Sequence, residues 1–257
     1  MKKHARVVVI GGGVMGVSLI YHLTKLGWSD VVLVEKNELT AGSTWHAAGL
    51  CTHYAHNITI MNLRAHSVKL YKSILEQETG QPVSFHACGA LRVTRFEDRL
   101  DEFRQVQGIG KFAGFDFEIL DPQQLREIYP LVNIEGLVGA IYEPLDGYVD
   151  PSQATHAMAK GARSRGAEIY RQNEVLGIRQ KSNGEWLVST KKGDISAEHI
   201  VNAAGTWCRE IGSMMGIDLP VVPMLHQYIV TDRIQAFAEL DHELPMIRDP
   251  DESWYLR

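Results

Sequence analysis

The most constraining feature of this chain is the segment from Arg6 to Gly49, RVVVIGGGVMGVSLIYHLTKLGWSDVVLVEKNELTAGSTWHAAG. It opens with a β-branched run, Val7–Ile10, which is typical of a strand buried on both faces. Gly11, Gly13 and Gly16 follow in G-x-G-x-x-G spacing. In such a motif the three glycines allow, in that order, a tight turn, a close approach to a pyrophosphate and close packing of helix on strand. The segment therefore predicts a dinucleotide-binding unit.

The residues after the glycines fit the same unit. A helix is predicted from Val14 to about Leu26, with Gly27 as its C-cap, and its free N–H groups and positive dipole end would face a phosphate. Val31–Val34 reads as the second strand, and Glu35 at its end would accept hydrogen bonds from ribose hydroxyls. An acid at this position favours FAD or NAD over NADP. A glycine-rich turn in another α/β domain is the alternative, but strand, helix and acid all fall in register.

Composition narrows the class of protein without identifying it. A chain of 257 residues, 45% of them hydrophobic, can hold one large globular domain or two modest ones. A net charge of −5 gives no reason to expect nucleic acid or a membrane surface as partner. No apolar run is long enough to span a bilayer, and the N-terminus enters the first strand almost at once, so a cytoplasmic location is predicted. Cys51, Cys88 and Cys208 are predicted to be reduced thiols.

The loop after Glu35 carries the most specific motif. Ligands sit at the carboxyl ends of strands in this fold, so Ser43, Thr44 and His46 are predicted to lie beside the cofactor. The run Glu38–Gly49, ELTAGSTWHAAG, resembles the flavin-attachment segment of the dimethylglycine dehydrogenase and sarcosine dehydrogenase family. The resemblance implies FAD bonded covalently through His46, and an imidazole nitrogen is a competent nucleophile. The alternative is a histidine that only hydrogen-bonds the flavin or packs in the loop.

A Cys-x-His-x-x-His spacing follows at Cys51, His53 and His56 and could hold zinc. No further ligand pair occurs at a useful spacing, and the segment continues the flavin loop. The sequence therefore predicts no metal site.

Periodicity and turn residues predict the remaining elements. Helices are predicted over 57–79, 96–112, 122–128 and 152–165. Strands are predicted over 84–94, 166–170, 175–178, 186–191, 198–205 and 220–232. At the end of the strand over 198–205, the small residues Ala203, Ala204 and Gly205 would allow a close approach to the flavin. An A-A-G run followed by Thr and Trp resembles a segment of glutathione-reductase-like FAD proteins, and Ala204 and Gly205 are therefore predicted cofactor-binding residues.

The candidate catalytic residues are His226 and Tyr255. The His226-Gln-Tyr run resembles a substrate-site segment of the family, and Tyr255 aligns with a second active-site tyrosine. Oxidation of an amine needs a neutral nitrogen, and His226 could help to hold that state or accept the proton that leaves the ammonium form. The alternative for His226 is a strand histidine bonded to the backbone. A glycine-derived substrate also needs a partner for its carboxylate, and the sequence does not choose among Arg92, Arg248 and Arg257.

The resemblance covers essentially the whole chain and predicts an α/β fold. A Rossmann-like, glutathione-reductase-like FAD-binding domain would comprise residues 1–83 and 151–219. An interleaved α+β substrate domain would comprise residues 84–150 and 220–257. The chain ends inside a predicted strand, whereas the family continues further, so the fold is predicted to be incomplete at the C-terminus.

The resemblance implies oxidation of the N-methyl group of dimethylglycine or sarcosine, by hydride transfer to the flavin. Electrons would leave to an electron-transferring flavoprotein or to oxygen, with no nucleic-acid or membrane partner. One alternative is a non-catalytic relative, since a regulatory subunit of pyruvate dehydrogenase phosphatase resembles the same family; the intact T-W-H-A-A-G run argues against it. The other is a glycine oxidase-like amine oxidase with non-covalent FAD.

Overall fold

The computed structural model describes residues 1–257. The strands, numbered in chain order, are β1 His4–Ile10, β2 Val31–Val34, β3 Leu50–Cys51, β4 Phe85–His86, β5 Ala90–Thr94, β6 Glu118–Leu120, β7 Gly139–Glu143, β8 Gly147–Val149, β9 Glu168–Tyr170, β10 Val175–Gln180, β11 Trp186–Thr190, β12 Gly193–Asn202, β13 Met246–Asp249 and β14 Trp254–Leu256. The α-helices are α1 Val14–Lys25, α2 Ser43–His46, α3 Ile58–Lys69, α4 Leu75–Thr79, α5 Glu97–Ala113, α6 Pro122–Ile128, α7 Pro151–Ser164, α8 Cys208–Ser213 and α9 Gln235–Ala238.

The chain divides into two compact units. The first comprises residues 1–47, 75–83 and 150–226, and the second comprises residues 48–74, 84–149 and 227–257. The sequence placed residues 48–74 with the cofactor domain because they continue the flavin loop. In the structure β3 pairs with β8, and α3 packs on α5, so these residues belong with the second unit.

The first unit is built on a six-stranded sheet with the order β10-β11-β12-β1-β2-β9. Strands β12, β1, β2 and β9 run parallel, whereas β10 and β11 form an antiparallel extension. All four residues of β2 are buried, as its unbroken apolar run, Val-Val-Leu-Val, predicts. The chain leaves β1 toward β2, while β12 lies on the other side of β1. This arrangement makes the carboxyl end of β1 a topological switch point, where α/β sheets bind ligands.

Helices α1, α4 and α7 pack together on this unit. The side chain of Tyr21 in α1 is fully buried. A Cβ atom at Gly161 in α7 would come within 2.9 Å of its ring, so the small residue allows the two helices to approach.

The second unit contains a five-stranded sheet, β14-β13-β5-β7-β6, and a three-stranded sheet, β3-β8-β4. Its buried cores include Phe103 of α5 and Leu125 of α6. Helix α6 begins as predicted. Asp121 caps it by accepting hydrogen bonds from the Gln123 and Gln124 amides, and Pro122 occupies the first helical position.

Two predicted elements differ from the structure. The helix predicted over 57–79 is interrupted by a π-helical segment, Leu70–Ile74, between α3 and α4. The strand predicted over 220–232 is wrong, because this segment has no regular secondary structure and pairs with no strand. Prolines at 220 and 223 cannot donate ladder hydrogen bonds, and Leu225 is 97% exposed, so the apolar residues of this segment join no sheet. None of the helices has both the length and the apolar character needed to cross a bilayer.

Candidate functional site

A cavity of about 420 Å³ lies in the first unit at the carboxyl ends of its parallel strands. Five chain segments and α8 contribute its walls. They are the glycine turn 10–15, the end of β2 with residues 35–37, the loop 42–47, the start of β10 with residues 173–174, and residues 203–207 after β12. This grouping is what the switch point predicts, since loops from several strand ends meet at one edge of the sheet.

The glycine turn has no room for side chains at two positions. Gly11 has φ +119°, and a Cβ atom there would lie 2.3 Å from the carbonyl oxygen of Ala203. A Cβ atom at Gly16 would lie 2.0 Å from the carbonyl oxygen of Gly11. Both obstacles are backbone atoms that no rotamer change can move. The glycines therefore fix the turn against β12 and let α1 start directly behind it.

The N-terminus of α1 opens into the cavity. Its N-cap, Gly13, has no side chain, and the first turn contains no acidic residue. The Val14 amide donates a hydrogen bond of 2.9 Å to the hydroxyl of the buried Thr44. No acidic residue of the helix itself therefore neutralises the positive end of its dipole, which suits a phosphate group.

The carboxylate of Glu35 also lines the cavity. One oxygen accepts a 2.6 Å hydrogen bond from the Gly12 amide, and the other accepts a 2.7 Å bond from the Asn37 amide. These bonds hold the carboxylate at the end of β2. A carboxylate has about four lone-pair sites, so acceptor capacity remains for ribose hydroxyls.

The small residues after β12 are held in place by Asn202, a residue not predicted from the sequence to belong to the site. Its amide nitrogen donates to the Cys208 carbonyl at 2.7 Å, and its oxygen accepts from the Ala204 amide at 3.3 Å. The Ala203 amide donates to the Ile10 carbonyl at 2.8 Å. The signal that could have identified Asn202 is a polar residue directly before an A-A-G run at a strand end.

Neither Asn173 nor the contact between Lys36 and Trp207 was predicted from the sequence. Asn173 is fully buried; its backbone amide donates to the Glu35 carbonyl at 2.8 Å, and its side-chain oxygen accepts from the Lys192 amide at 2.9 Å. The ammonium group of Lys36 lies 3.5 Å from the centroid of the Trp207 ring. Asn173 follows β9, the neighbour of β2, so the strand-end rule applied to β9 would have found it.

His46 ends α2, within the loop that lines the cavity. It is exposed, and its ring lies 3.7 Å from that of Trp45. The predicted cofactor-binding residues Ser43 and Thr44 contribute directly to the cavity wall.

His53 of the Cys-x-His-x-x-His run forms a hydrogen bond with Asp146. Its Nδ1 lies 2.6 Å from the carboxylate of Asp146, and both side chains are buried. Burial raises the pKa of Asp146, while the hydrogen bonds from His53 oppose that shift. No group of three or more metal-ligating side chains exists in the structure, and all three cysteines are unpaired.

The structure places the candidate substrate residues separately. His226, in the first unit, lies in the exposed segment without regular structure. Tyr255, in the second unit, is half-buried on β14 and pairs with Arg248 of β13. Arg248 in turn pairs with Arg92 of β5. The guanidinium group of Arg257 instead lies over the ring of Tyr148, 4.6 Å from its centroid. Two of the three candidate arginines are thus adjacent.

The glycine turn, the acid after β2 and the small residues after β12 define a dinucleotide-binding α/β protein. Residues 6–257 match the FAD dependent oxidoreductase family (DAO), and the chain belongs to this family. It is similar to rat mitochondrial dimethylglycine dehydrogenase, with 44% identity over 256 residues, covering 100% of this chain and 30% of that protein. Human mitochondrial sarcosine dehydrogenase is 38% identical over 258 residues, covering 98% of this chain and 28% of that protein.

The fold of the chain is also similar to that of a solved dehydrogenase structure. L-proline dehydrogenase from P. horikoshii superposes with a TM-score of 0.76 at 30% identity, covering 83% of this chain and 56% of that chain. The family resemblance and the predicted fold class are confirmed. The chain spans less than a third of the length of the two curated relatives. Their names place both in mitochondria, so the comparisons do not support the predicted cytoplasmic location.

Proposed function

We propose that this chain is the FAD-binding part of an amine oxidoreductase that oxidises the N-methyl group of a small glycine-derived amine, such as dimethylglycine or sarcosine. The observation that carries the proposal is the cavity around the glycine turn, in a chain similar over its whole length to dimethylglycine dehydrogenase. The electrons would leave to an electron-transferring flavoprotein or to oxygen.

The residues of the cavity fit FAD. The backbone of Gly11 and Gly13 and the N-terminus of α1 would hold the pyrophosphate, and Glu35 would bind the ribose. Thr44 would position the loop over α1, and Gly205 would leave space at the end of β12. When bound, FAD supplies the two-electron oxidation of the carbon next to the amine nitrogen.

We assign His46 as the residue that bonds FAD covalently. Its support is the S-T-W-H-A-A-G motif and its position in the loop that contributes Ser43, Thr44 and Ala47 to the cavity. His46 itself does not line the cavity, but it is exposed and directly precedes Ala47, which does. The bond would keep the cofactor attached when the protein is denatured.

Acid precipitation tests this assignment. The purified chain is loaded with FAD and precipitated, and flavin absorbance is measured in the redissolved pellet and in the supernatant. Flavin is expected to stay with the wild-type pellet and with the His56→Ala control, and to leave with His46→Ala. Flavin in the supernatant of loaded wild-type protein would overturn the covalent assignment and favour the glycine oxidase-like alternative.

Turnover tests the oxidoreductase assignment itself. Dimethylglycine and sarcosine are offered to the flavin-loaded chain with an artificial dye as acceptor, and dye reduction is followed together with formaldehyde formation. Dye reduction by either amine supports the proposal. A flavin-loaded protein that reduces no dye with either amine would contradict it and favour the non-catalytic relative.

We assign His226 and Tyr255 to the substrate side of the reaction. The assignment of His226 depends on the resemblance of its His-Gln-Tyr run. Tyr255 has structural support, because it pairs with Arg248 and residues directly opposite each other on paired strands project to the same face. His226→Gln is expected to change the pH dependence of kcat more than the KM, because a proton acceptor would convert the ammonium form of the substrate into the neutral amine.

A further inference from the structure

We propose that a second cavity, in the second unit, binds the carboxylate of a small N-methylated amino acid through Arg64, Arg92 and Arg248. This arginine cavity has a volume of about 310 Å³. It falls at the lower end of the range of about 300–1,000 Å³ typical of small-ligand pockets. The identity of the ligand as an amine substrate rests on the proposed function, whereas the preference for a carboxylate rests on the cavity alone.

The three arginines come from three different elements. Arg64 lies on α3, Arg92 on β5 and Arg248 on β13. The parallel pairing of β13 with β5 sets Arg248 directly beside Arg92. Like charges in this relation repel each other and destabilise a sheet. A pair of neighbouring guanidinium groups at one cavity wall is therefore costly unless an anion lies between them.

The cavity provides no anion of its own. None of its lining residues is Asp or Glu; besides the arginines they are Leu50, Cys51, Thr52, Ser67, Val68 and Tyr71. Burial raises the pKa of Cys51 to about 12 and also raises the pKa of Tyr71, so the thiol and the phenol both stay neutral at pH 7. Every charge on the cavity wall is positive.

The existing partners of the arginines leave donors available. The guanidinium of Arg92 lies 3.9 Å from the centroid of the Tyr54 ring, an interaction that uses its face and not its N–H groups. Arg64 donates to the Tyr54 carbonyl. Nε of Arg248 is buried without a hydrogen-bond partner. Buried donors without partners are rare, and a ligand that accepts hydrogen bonds would satisfy this one.

Arg92 remains a cation despite its environment. Burial, followed by the nearby Arg248 and Arg64, lowers its pKa to about 10, while Tyr54 and Asp146 oppose this shift. The group is therefore still protonated at pH 7, and an incoming anion would relieve the repulsion. A planar carboxylate matches the fork of N–H donors on a guanidinium.

The rest of the wall suits a small amino acid. Leu50 and Val68 offer apolar surface for methyl groups, and the hydroxyls of Thr52 and Ser67 can hydrogen-bond a polar head. Inorganic phosphate shares the same acceptor chemistry and serves as the competing ligand in the test.

Isothermal titration calorimetry of the purified chain tests the proposal. The ligands are N,N-dimethylglycine, N,N-dimethylethanolamine, which lacks the carboxylate, and inorganic phosphate. The variants are Arg64→Gln and Arg248→Gln, with Arg95→Gln as control, because Arg95 donates to the Glu135 carbonyl and does not line the cavity. Arg64 is exposed, so its replacement is expected to leave the fold intact, which circular dichroism checks.

Dimethylglycine is expected to bind the wild type and the control with equal affinity. Its affinity for either variant is expected to be lower by roughly tenfold or more, since each variant loses a charge-assisted hydrogen bond. Equal affinity for dimethylethanolamine, unchanged affinity in folded Arg64→Gln and Arg248→Gln, or tighter binding of phosphate would each overturn it. Turnover with an unchanged KM in both variants would also overturn it while leaving the proposed function intact. Arginine-dependent binding without turnover would support the cavity and contradict the proposed function.

Discussion

The two units shift the pKa of a glutamate side chain in opposite directions. In the first unit Glu78 lies at the surface and accepts hydrogen bonds from Tyr21 at 2.6 Å, Lys25 at 2.7 Å and Arg165 at 2.6 Å. Burial alone would raise its pKa, but these three donors outweigh it and hold the pKa at about 2. In the second unit Glu143 is 3% exposed, and burial raises its pKa to about 7. In the first unit hydrogen-bond donors stabilise the ionised form of Glu78, whereas in the second unit burial favours the protonated form of Glu143.

The same contrast extends to the whole of each unit. The three buried side-chain atoms without a hydrogen-bond partner all lie in the second unit, on Glu143, Arg248 and Asp249. The dinucleotide cavity of the first unit is shaped by backbone geometry, whereas the arginine cavity is built from charged side chains. Of these three residues only Arg248 lines the arginine cavity, where a ligand that accepts hydrogen bonds would satisfy its Nε.

The largest effect expected is that of Gly16→Val in the first unit. Its side chain would start 2.0 Å from a backbone oxygen that cannot move aside. We expect a loss of at least about 3 kcal/mol in the free energy of unfolding, measured by urea titration with far-UV circular dichroism. Gly177→Ala is the control, because a Cβ atom there meets nothing within 4 Å. A Gly16→Val variant as stable as this control would show that the turn is not constrained as described.

In the second unit the comparable change is Asp146→Ala. It removes the partner of both the ring and the backbone amide of buried His53, each bonded to the same carboxylate oxygen. Breaking a buried pair in this way is expected to cost about 3 kcal/mol. Asp101→Ala is the control, since that carboxylate is 66% exposed in its pair with Arg104 and should contribute less than about 1 kcal/mol. If both variants lost the same free energy of unfolding, the buried pair would contribute no more to stability than the surface pair.

Sequence predicted the two units unequally well. Gly11, Glu35 and the A-A-G run could be identified because each function follows from a local pattern at a strand end. The proximity of Arg92 and Arg248 could not be predicted, because it depends on β13 pairing in parallel with β5, far away in the chain. The placement of residues 48–74 failed for the same reason. The apolar residues over 220–232 predicted a strand, but no neighbouring strand pairs with this segment in the structure.

A smaller effect is expected from pH through Glu143. Its pKa is raised from 4.5 in the unfolded chain to about 7 in the folded one, so the folded state holds the proton more tightly. The stability that this group contributes is complete below pH 4.5 and is lost as the pH rises through 7. We expect the free energy of unfolding to fall by about 2 kcal/mol between pH 5 and pH 8. Glu143→Gln should abolish that decline in urea titrations across the same range, and a decline that persists in the variant would assign it to another group.

The smallest effect concerns Glu78 and has the opposite sign. Its folded pKa of about 2 lies below the unfolded value of 4.5, so its contribution is complete above pH 4.5 and is lost as the pH falls toward 2. Because 27% of its side chain is exposed, solvent screens the interaction, and the contribution is about 1 kcal/mol. Glu78→Gln should therefore be less stable than the wild type at pH 6 and equal to it near pH 2, whereas Glu76→Gln, exposed on the same helix, should match the wild type throughout. Hydrogen exchange resolved by peptide can follow each unit separately. Opposite pH trends in the two units would tie the contrast to the two carboxylates, and parallel trends would show that the units do not differ in how they hold charge.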